Sequence, residues 1–192
     1  MNTKKPVANE TPPVDDDISG KEMALTEKID NILEKIGKGT AWLNFVLIWI
    51  ILIQVILRYV FGQGMVPLEE LQWHLYGIGI MVGLSYAVVK DSHIRLDLVY
   101  EKISDINKVR FEILGIIFLL LPFAFVGIFK GYELFFASLR VNESSASPTG
   151  LPFRWIIKSF VCTGFILLAV SSITKLIKQI RLYKQLKKEG IK

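Results

Sequence analysis

The sequence holds one cysteine and two histidines, which leaves too few side chains for several kinds of site. Cys162 lies inside an apolar run and has no partner for a disulfide within the chain. His74 and His93 are predicted below to lie on opposite sides of a bilayer, so they cannot jointly ligate one haem or metal ion. The sequence also lacks a glycine-rich phosphate loop and a supported Ser/His/Asp set. It therefore predicts no catalytic site, no metal site and no cofactor in this chain.

Charge is nearly absent from four long stretches, although the whole chain carries 23 Lys and Arg against 18 Asp and Glu. Hydrophobic residues make up 52% of the sequence, and its mean hydropathy is +0.43. The basic residues flank the apolar runs instead of gathering on one polar domain, which favours membrane anchoring over nucleic-acid binding. These features predict an all-α membrane protein.

The apolar runs predict four transmembrane helices, at about residues 40–60, 69–89, 111–139 and 153–176. The third run would reach roughly 43 Å as one helix at 1.5 Å per residue, so it must tilt or project from the bilayer. Pro122 removes a backbone donor inside this run, which predicts a kink.

The segment before the first span divides into two parts. Residues 1–18 are rich in proline and aspartate, and they predict a disordered tail. Residues 19–38 have helical apolar spacing between lysines, and they predict an amphipathic helix that ends at Gly37 or Gly39. This helix either lies in the lipid headgroup layer or packs on a polar domain of a partner. Residues 177–192 predict a basic cytoplasmic tail.

The positive charges predict the orientation, because short Lys/Arg-rich loops stay in the cytoplasm. The segment before the first span carries six, the 90–110 loop carries five, and the segment from residue 175 onward carries seven. The opposite side carries five. Both termini are therefore predicted to be cytoplasmic, and the loops around residues 61–68 and 140–154 are predicted to face outward.

The charged side chains of the spans are concentrated near their ends. Arg58 is predicted to pair with Glu69 or Glu70 and so to hold the first helical hairpin together, or else to contact a partner. Lys130 and Glu133 are three residues apart on one helix, which predicts a second ion pair where the third helix leaves the hydrocarbon.

Two glycine pairs have the spacing that lets membrane helices approach closely, although glycine is common in such helices. They are Gly79 with Gly83, and Gly127 with Gly131.

Five short stretches occur in a distinctive order along the four predicted spans. They are residues 58–62 (RYVFG), 69–73 (EELQW), 91–97 (DSHIRLD), 142–144 (NES) and 150–152 (GLP). In this order they resemble the small membrane subunit of tripartite ATP-independent periplasmic (TRAP) transporters, the DctQ-like small permease family. The resemblance covers roughly residues 40–180.

The resemblance implies a function that composition alone does not show. Such a chain is a small, non-moving scaffold subunit in the bacterial inner (cytoplasmic) membrane, where it also contacts lipids. Its partners are a large DctM-like membrane subunit, which carries the sodium and substrate sites, and a periplasmic DctP-like substrate-binding protein. The complex imports an organic anion, a carboxylate or a sulfonate, together with sodium. No substrate-binding residue and no contact with nucleic acid is expected in this chain.

The resemblance and the predicted topology together assign candidate roles to individual residues. A first group is expected to be structural or to lie at a subunit interface, with His93 and Asp97 ordering the inner loop: Arg58, Glu69, Glu70, Trp73, His93, Asp97, Lys130 and Glu133. A second group lies in the outward loops and is expected to contact the binding protein: Gln63, Met65, Glu143, Ser144 and Pro148.

Two other functions remain open from the sequence. The chain could be the membrane-anchor subunit of an oxidoreductase complex, in which its helices would hold a haem or quinone. It could also be a stand-alone channel or exporter. A haem absorption band in the purified protein would favour the first, and organic-anion flux through the lone chain in liposomes would favour the second.

Overall fold

The computed structural model describes residues 15–90 and 104–188, and every regular element in these two ranges is helical. The predicted motif at His93 and Asp97 lies outside them. The elements are α1 (Asp15–Tyr59), α2 (Val66–Val89), α3 (Asp105–Gly115), a π-helical turn (Ile116–Leu120), α4 (Leu121–Arg140) and α5 (Trp155–Lys188). The prediction of an all-α chain is confirmed for the described residues.

Three of the helical segments are long and apolar enough to cross a membrane, judged by their length and composition. They lie within Met23–Tyr59, Ile106–Arg140 and Trp155–Lys188. The remaining long helix, α2, has 24 residues and is not among these three segments. Its membrane crossing therefore stays a prediction.

The N-terminal part of α1 corrects two predicted boundaries. Helix α1 begins at Asp15, so residues 15–18 belong to it and not to a disordered tail. It also continues through Gly37 and Gly39, where the amphipathic helix was predicted to end. A glycine ends a helix when it adopts a left-handed conformation, as Gly62 does after α1 with φ of +64°. Gly37 instead remains helical and packs closely on the Tyr86 ring of α2, and this contact outweighs its low helix propensity.

The four long helical segments lie in a row, with α2 and α5 in the middle. Helix α1 packs mainly on α2 at one edge of the row and also touches α5, and α4 packs on α5 at the other edge. In the described part of the chain, α1 and α4 share no packing interface. A small core forms where α2, α4 and α5 meet, and it is built around Val88, Ala124 and Leu168.

Small residues set the spacing of the central helices. A Cβ atom on Gly131 would lie 3.0 Å from Cys162 Cα, and a Cβ atom on Gly164 would lie 2.7 Å from Met81 Cβ. Gly127 and Gly131 are thus used for packing α4 on α5 within the chain. In the other glycine pair, Gly79 lies beside α1, whereas a Cβ atom on Gly83 would meet nothing within 4 Å.

The break that Pro122 predicts takes the form of a π-helical turn just before it. The Leu121 amide donates to Ile116 O, five residues back, where an α-helix would bond four residues back. Pro122 has no amide hydrogen to donate to the preceding turn, so the backbone can widen there at little further cost. The segments α3 and α4 remain joined as one helical rod.

The row has two chemically different ends. The loop end holds the connections at residues 60–65 and 141–154. The basic end holds the start of α1, the end of α2, the start of α3 and the end of α5.

At the basic end, polar contacts fasten α1 to two neighbouring helices. Glu34 Oε1 lies 2.7 Å from the Nζ atoms of both Lys38 and Lys90. Asp30 accepts a hydrogen bond of 2.9 Å from Thr174 Oγ1 and forms an ion pair with Lys178. The first half of α1 is therefore attached to α2 and α5 of its own chain.

This attachment buries only part of the apolar stripe that predicted the amphipathic helix. Thr26 and Leu33 are buried, while Leu25 and Ile32 are 61% and 51% exposed. The chain therefore covers Leu33 of this stripe and leaves more than half of the Leu25 and Ile32 side chains uncovered.

Candidate interaction site at the loop end

The first turns of α2 anchor the long connection between α4 and α5 through one carboxylate. Glu70 Oε1 accepts a hydrogen bond from Ser145 Oγ, and Glu70 Oε2 accepts one of 2.6 Å from the Leu151 amide. Both donors belong to the 141–154 loop, so Glu70 ties this loop to a helix that precedes it by more than seventy residues. Hydrogen bonds to a charged acceptor are stronger than neutral ones.

The 141–154 loop closes on itself as a compact unit. The Glu143 amide donates to Ser138 O at 3.1 Å, and the Arg154 amide donates to Glu143 O at 2.9 Å, which brings the two ends of the loop together. The Ser145 amide donates to Leu151 O at 3.2 Å across its middle. Such closed surface loops are frequently functional, because they hold exposed side chains in fixed positions.

Two residues of this loop adopt left-handed backbone conformations. Asn142 has φ of 45° and Phe153 has φ of 61°. Asparagine tolerates the left-handed region, but a bulky aromatic residue is rarely found there. The loop therefore holds Phe153 in a strained conformation at the start of α5, which its internal hydrogen bonds must offset.

Gly150 is required by the close approach of the loop to α2. A Cβ atom on Gly150 would collide with the Ser145 side chain and would lie 2.9 Å from Glu70 Oε1. Any larger residue would displace the Ser145 hydroxyl from the Glu70 carboxylate.

An ion pair joins the start of the loop to α5. Glu143 Oε2 contacts Lys158 Nζ, and both side chains are about a quarter to a third exposed. The Lys158 ammonium holds the pKa of the Glu143 carboxyl below its usual value. Glu143 was predicted to contact a binding protein, but here its carboxylate is already engaged within the chain.

This pair predicts a pH dependence of stability. A carboxyl group whose pKa is lower in the folded protein stabilises the fold above its unfolded pKa, about 4.3 for glutamate. That contribution is lost as the pH falls through the lowered folded value. We expect the apparent melting temperature in detergent to fall more between about pH 6 and about pH 3.5 in the unsubstituted chain than in Glu143→Gln. Equal falls in both proteins would contradict this role for Glu143.

The shorter connection, at residues 60–65, is held by α1. Gln54, which is buried near the end of α1, donates from Nε2 to Met65 O at 3.3 Å. The Gln63 amide donates to Leu57 O at 3.0 Å, and Gly62 supplies the left-handed residue that reverses the chain. The side chains of Gln63 and Met65 are exposed.

The predicted pairing of Arg58 with Glu69 or Glu70 is wrong. Glu70 points into the 141–154 loop, where Ser145 and Leu151 occupy its two oxygen atoms. Arg58 and Glu69 are exposed. Arg58 lies in the last turn of α1, where a positive charge interacts favourably with the helix dipole without a carboxylate partner.

The remaining predicted residues lie in separate places. Ser144 and Pro148 are exposed on the 141–154 loop. Trp73 is exposed on α2 and makes an edge-to-face contact with Tyr76, with 6.5 Å between the ring centroids. The predicted pair of Lys130 and Glu133 is present, but it lies on α4 and apart from the loop contacts described above.

The sequence did not predict the partners that bind the Glu70 and Glu143 carboxylates. Ser145 and the Leu151 amide are the partners of Glu70, and Lys158 is the partner of Glu143. The motif at 150–152 marked the right loop, but no spacing rule connects residue 70 with residue 145.

In residues 15–90 and 104–188, no three side chains of the His, Cys, Asp or Glu types lie together in a way that could hold a metal ion. The arrangement at the loop end can instead present a fixed surface of mixed polar and apolar side chains to another protein. Its exposed members come from both connections: Gln63, Met65, Ser144 and Pro148.

Comparison with known families gives one match. The sequence model described as "Tripartite ATP-independent periplasmic transporters, DctQ component" matches residues 47–182, which is well over half of the chain. The match includes the loop end and most of the helical row. A comparison with curated proteins finds no match to the chain.

Proposed function

This chain belongs to the DctQ family of TRAP transporter components, and from this premise we propose that it is the small, non-moving scaffold subunit of such a transporter. The family is one of transporter components and not of enzymes. Together with the long apolar helices, it makes the chain a multi-pass membrane protein.

The observation that supports a fixed scaffold best is that the helical row is tied together at both ends. At the loop end, Glu70 on α2 binds the connection between α4 and α5. At the basic end, Asp30 binds α5 and Glu34 binds α2. Contacts between helices at both ends oppose the sliding of one helix past another. A subunit that must stay still while its partner moves needs this resistance.

The proposed partners follow from the tripartite organisation of the family. A large DctM-like membrane subunit would carry sodium and the substrate, and a DctP-like periplasmic binding protein would deliver an organic anion, either a carboxylate or a sulfonate. The exposed residues of the loop end are the proposed contact with the binding protein. The uncovered stripe at Leu25 and Ile32 suits contact with the headgroup layer or with a polar domain of a partner.

The proposed topology has four spans in the bacterial inner membrane, with α2 as the second span and both termini in the cytoplasm. It is supported by the excess of Lys and Arg at the basic end. The loop end would then face the periplasm, on the side where a binding protein docks.

This topology predicts the labelling of single-cysteine variants. Cys162 is the only cysteine, so Cys162→Ala provides a background without thiols. We expect an impermeant maleimide to label Gln63→Cys and Ser144→Cys in intact spheroplasts. Asn107→Cys and Gln185→Cys should be labelled only after the membrane is permeabilised. The reverse pattern would contradict the orientation.

The proposed function is tested by reassembly. The tagged chain is expected to co-purify with the large membrane subunit of the same transporter after mild detergent extraction. In proteoliposomes, uptake of an organic anion should require both membrane subunits, the binding protein and a sodium gradient. Uptake at the same rate without this chain, or flux through this chain alone, would overturn the scaffold role.

The alternative of a membrane-anchor subunit of an oxidoreductase complex receives no support from the family match.

A further inference from the structure

The outward side of α4 carries an ion pair on a largely aromatic surface, which we call the α4 ion-pair face (Phe125, Phe129, Lys130, Tyr132 and Glu133). Lys130 Nζ lies 2.8 Å from Glu133 Oε2, and the two side chains are 67% and 51% exposed. Lys130 Nζ also lies 5.5 Å from the centre of the Phe129 ring. Phe125, Phe129 and Tyr132 are each more than half exposed.

The opposite side of α4 is the one that packs within the chain. Ala124, Gly131 and Ser138 are buried there, and Gly127 lies against Phe165 of α5. Glu133 therefore projects away from the helical row, and Lys130 is largely exposed at its flank. This orientation is unusual for charged residues in membrane helices, which almost always face protein or water.

The pair also lies well inside the helical row, as its distances from the end of α4 and from the start of α5 show. Ten residues separate Lys130 from Arg140, which ends α4, a distance of about 15 Å along the helix. The neighbouring Gly131 packs on Cys162 of α5. Cys162 lies seven residues after Trp155, where α5 begins, which is a distance of about 10 Å along that helix. Between Lys130 and Arg140, Glu133 is the one charged residue in the sequence. In the proposed topology this level of the row lies within the bilayer, and not where the third helix leaves the hydrocarbon, so acyl chains would offer no hydrogen-bonding group to either charge.

We infer that the α4 ion-pair face is the surface on which this subunit docks against a membrane helix of the large subunit. The inference rests on the proposed function. The ammonium of Lys130 has hydrogen-bond donors left after its bond to Glu133, and the carboxylate has free acceptor positions. A protein partner can supply an acceptor beside Lys130 and a donor beside Glu133, whereas an acyl chain can supply neither. The aromatic residues beside the pair suit this role as well, because aromatic side chains are enriched in the cores of protein interfaces.

A charge swap tests this inference without removing the ion pair from α4. The double variant Lys130→Glu with Glu133→Lys keeps both charges three residues apart, so the bond within the chain can still form. A partner that presents an acceptor to residue 130 and a donor to residue 133 would meet the wrong charge at both positions. We expect the amount of co-purified large subunit to fall at least about tenfold, the equivalent of 1.4 kcal/mol. Co-purification at the unsubstituted level would overturn the inference.

A second measurement uses an unaltered ion pair. A photo-crosslinking amino acid in place of Phe129 is expected to form an adduct with the large subunit in native membranes. An adduct with phospholipid alone would show that lipid covers this face, and it would overturn the inference.

The unsubstituted chain distinguishes a failure of the proposed function from a failure of the docking surface. If that chain itself fails to retain the large subunit, the proposed function fails. If it retains the large subunit and the swapped chain does so equally, only the docking surface is wrong.

Discussion

Gly164→Leu is expected to push α2 and α5 apart and to lower the free energy of unfolding by about 1–3 kcal/mol or more. Gly164 is buried in the centre of the helical row. A Cβ atom there would lie 2.7 Å from Met81 Cβ and 3.1 Å from Met81 O. The nearest atoms lie on or next to the α2 backbone, so they cannot move aside as the end of a flexible side chain can. The whole helix must shift, and the small core beside it must lose contacts.

The measurement is thermal unfolding of the isolated subunit in mild detergent, followed by tryptophan fluorescence. Gly83→Leu is the matched control, because a Cβ atom on Gly83 would meet nothing within 4 Å. Leucine also favours a helix over glycine by up to about 1 kcal/mol, so the control should be neutral or slightly stabilised. If the two variants melt at the same temperature, the close packing of α2 on α5 does not limit stability.

Glu70→Ala is expected to release the 141–154 loop from α2, because both of its hydrogen bonds to the loop are lost. The Leu151 amide and the Ser145 hydroxyl would then exchange their carboxylate partner for water. We expect trypsin to cleave after Arg154 several-fold faster than in the unsubstituted chain. Glu70→Gln should be intermediate, because its amide has one acceptor oxygen for two donors. Fragment masses identify the cleaved bond.

Glu69→Ala is the matched control for this experiment. Glu69 is the neighbouring carboxylate, and its side chain is exposed. Glu69→Ala should leave the rate of cleavage after Arg154 unchanged. In the reassembled transporter, Glu70→Ala is further expected to reduce uptake that depends on the binding protein more than Glu69→Ala does. Equal behaviour of the two variants would mean that Glu70 does not organise the loop.

Some contacts could be predicted because they depend on neighbours along the chain. Lys130 and Glu133 are three residues apart on a helix, and the structure pairs them. Pro122 marked the interruption of its helix, because a missing amide acts on the preceding turn. The helical class follows from the apolar runs, since a backbone in a bilayer must bond to itself.

Other predictions failed because they rested on a local rule, and a contact with a distant part of the chain outweighed that rule. Gly37 has the propensity to end a helix, but its packing on Tyr86 holds it in one. Arg58 and Glu70 have opposite charges at adjacent helix ends, but the carboxylate is taken by a loop that no periodicity connects with it.

The sequence by itself determined that this chain is helical, which segments suit a membrane, where the charges gather and which family it resembles. Each of these depends on composition or on spacing within a few turns. Only the tertiary structure decided which partner each carboxylate takes. Glu70 binds Ser145, and Asp30 binds Lys178, across more than seventy residues in each case. The physical reason is that such partners depend on the register between helices. Close contacts such as that of Gly164 with Met81 set this register, and they exist only after the helices have packed.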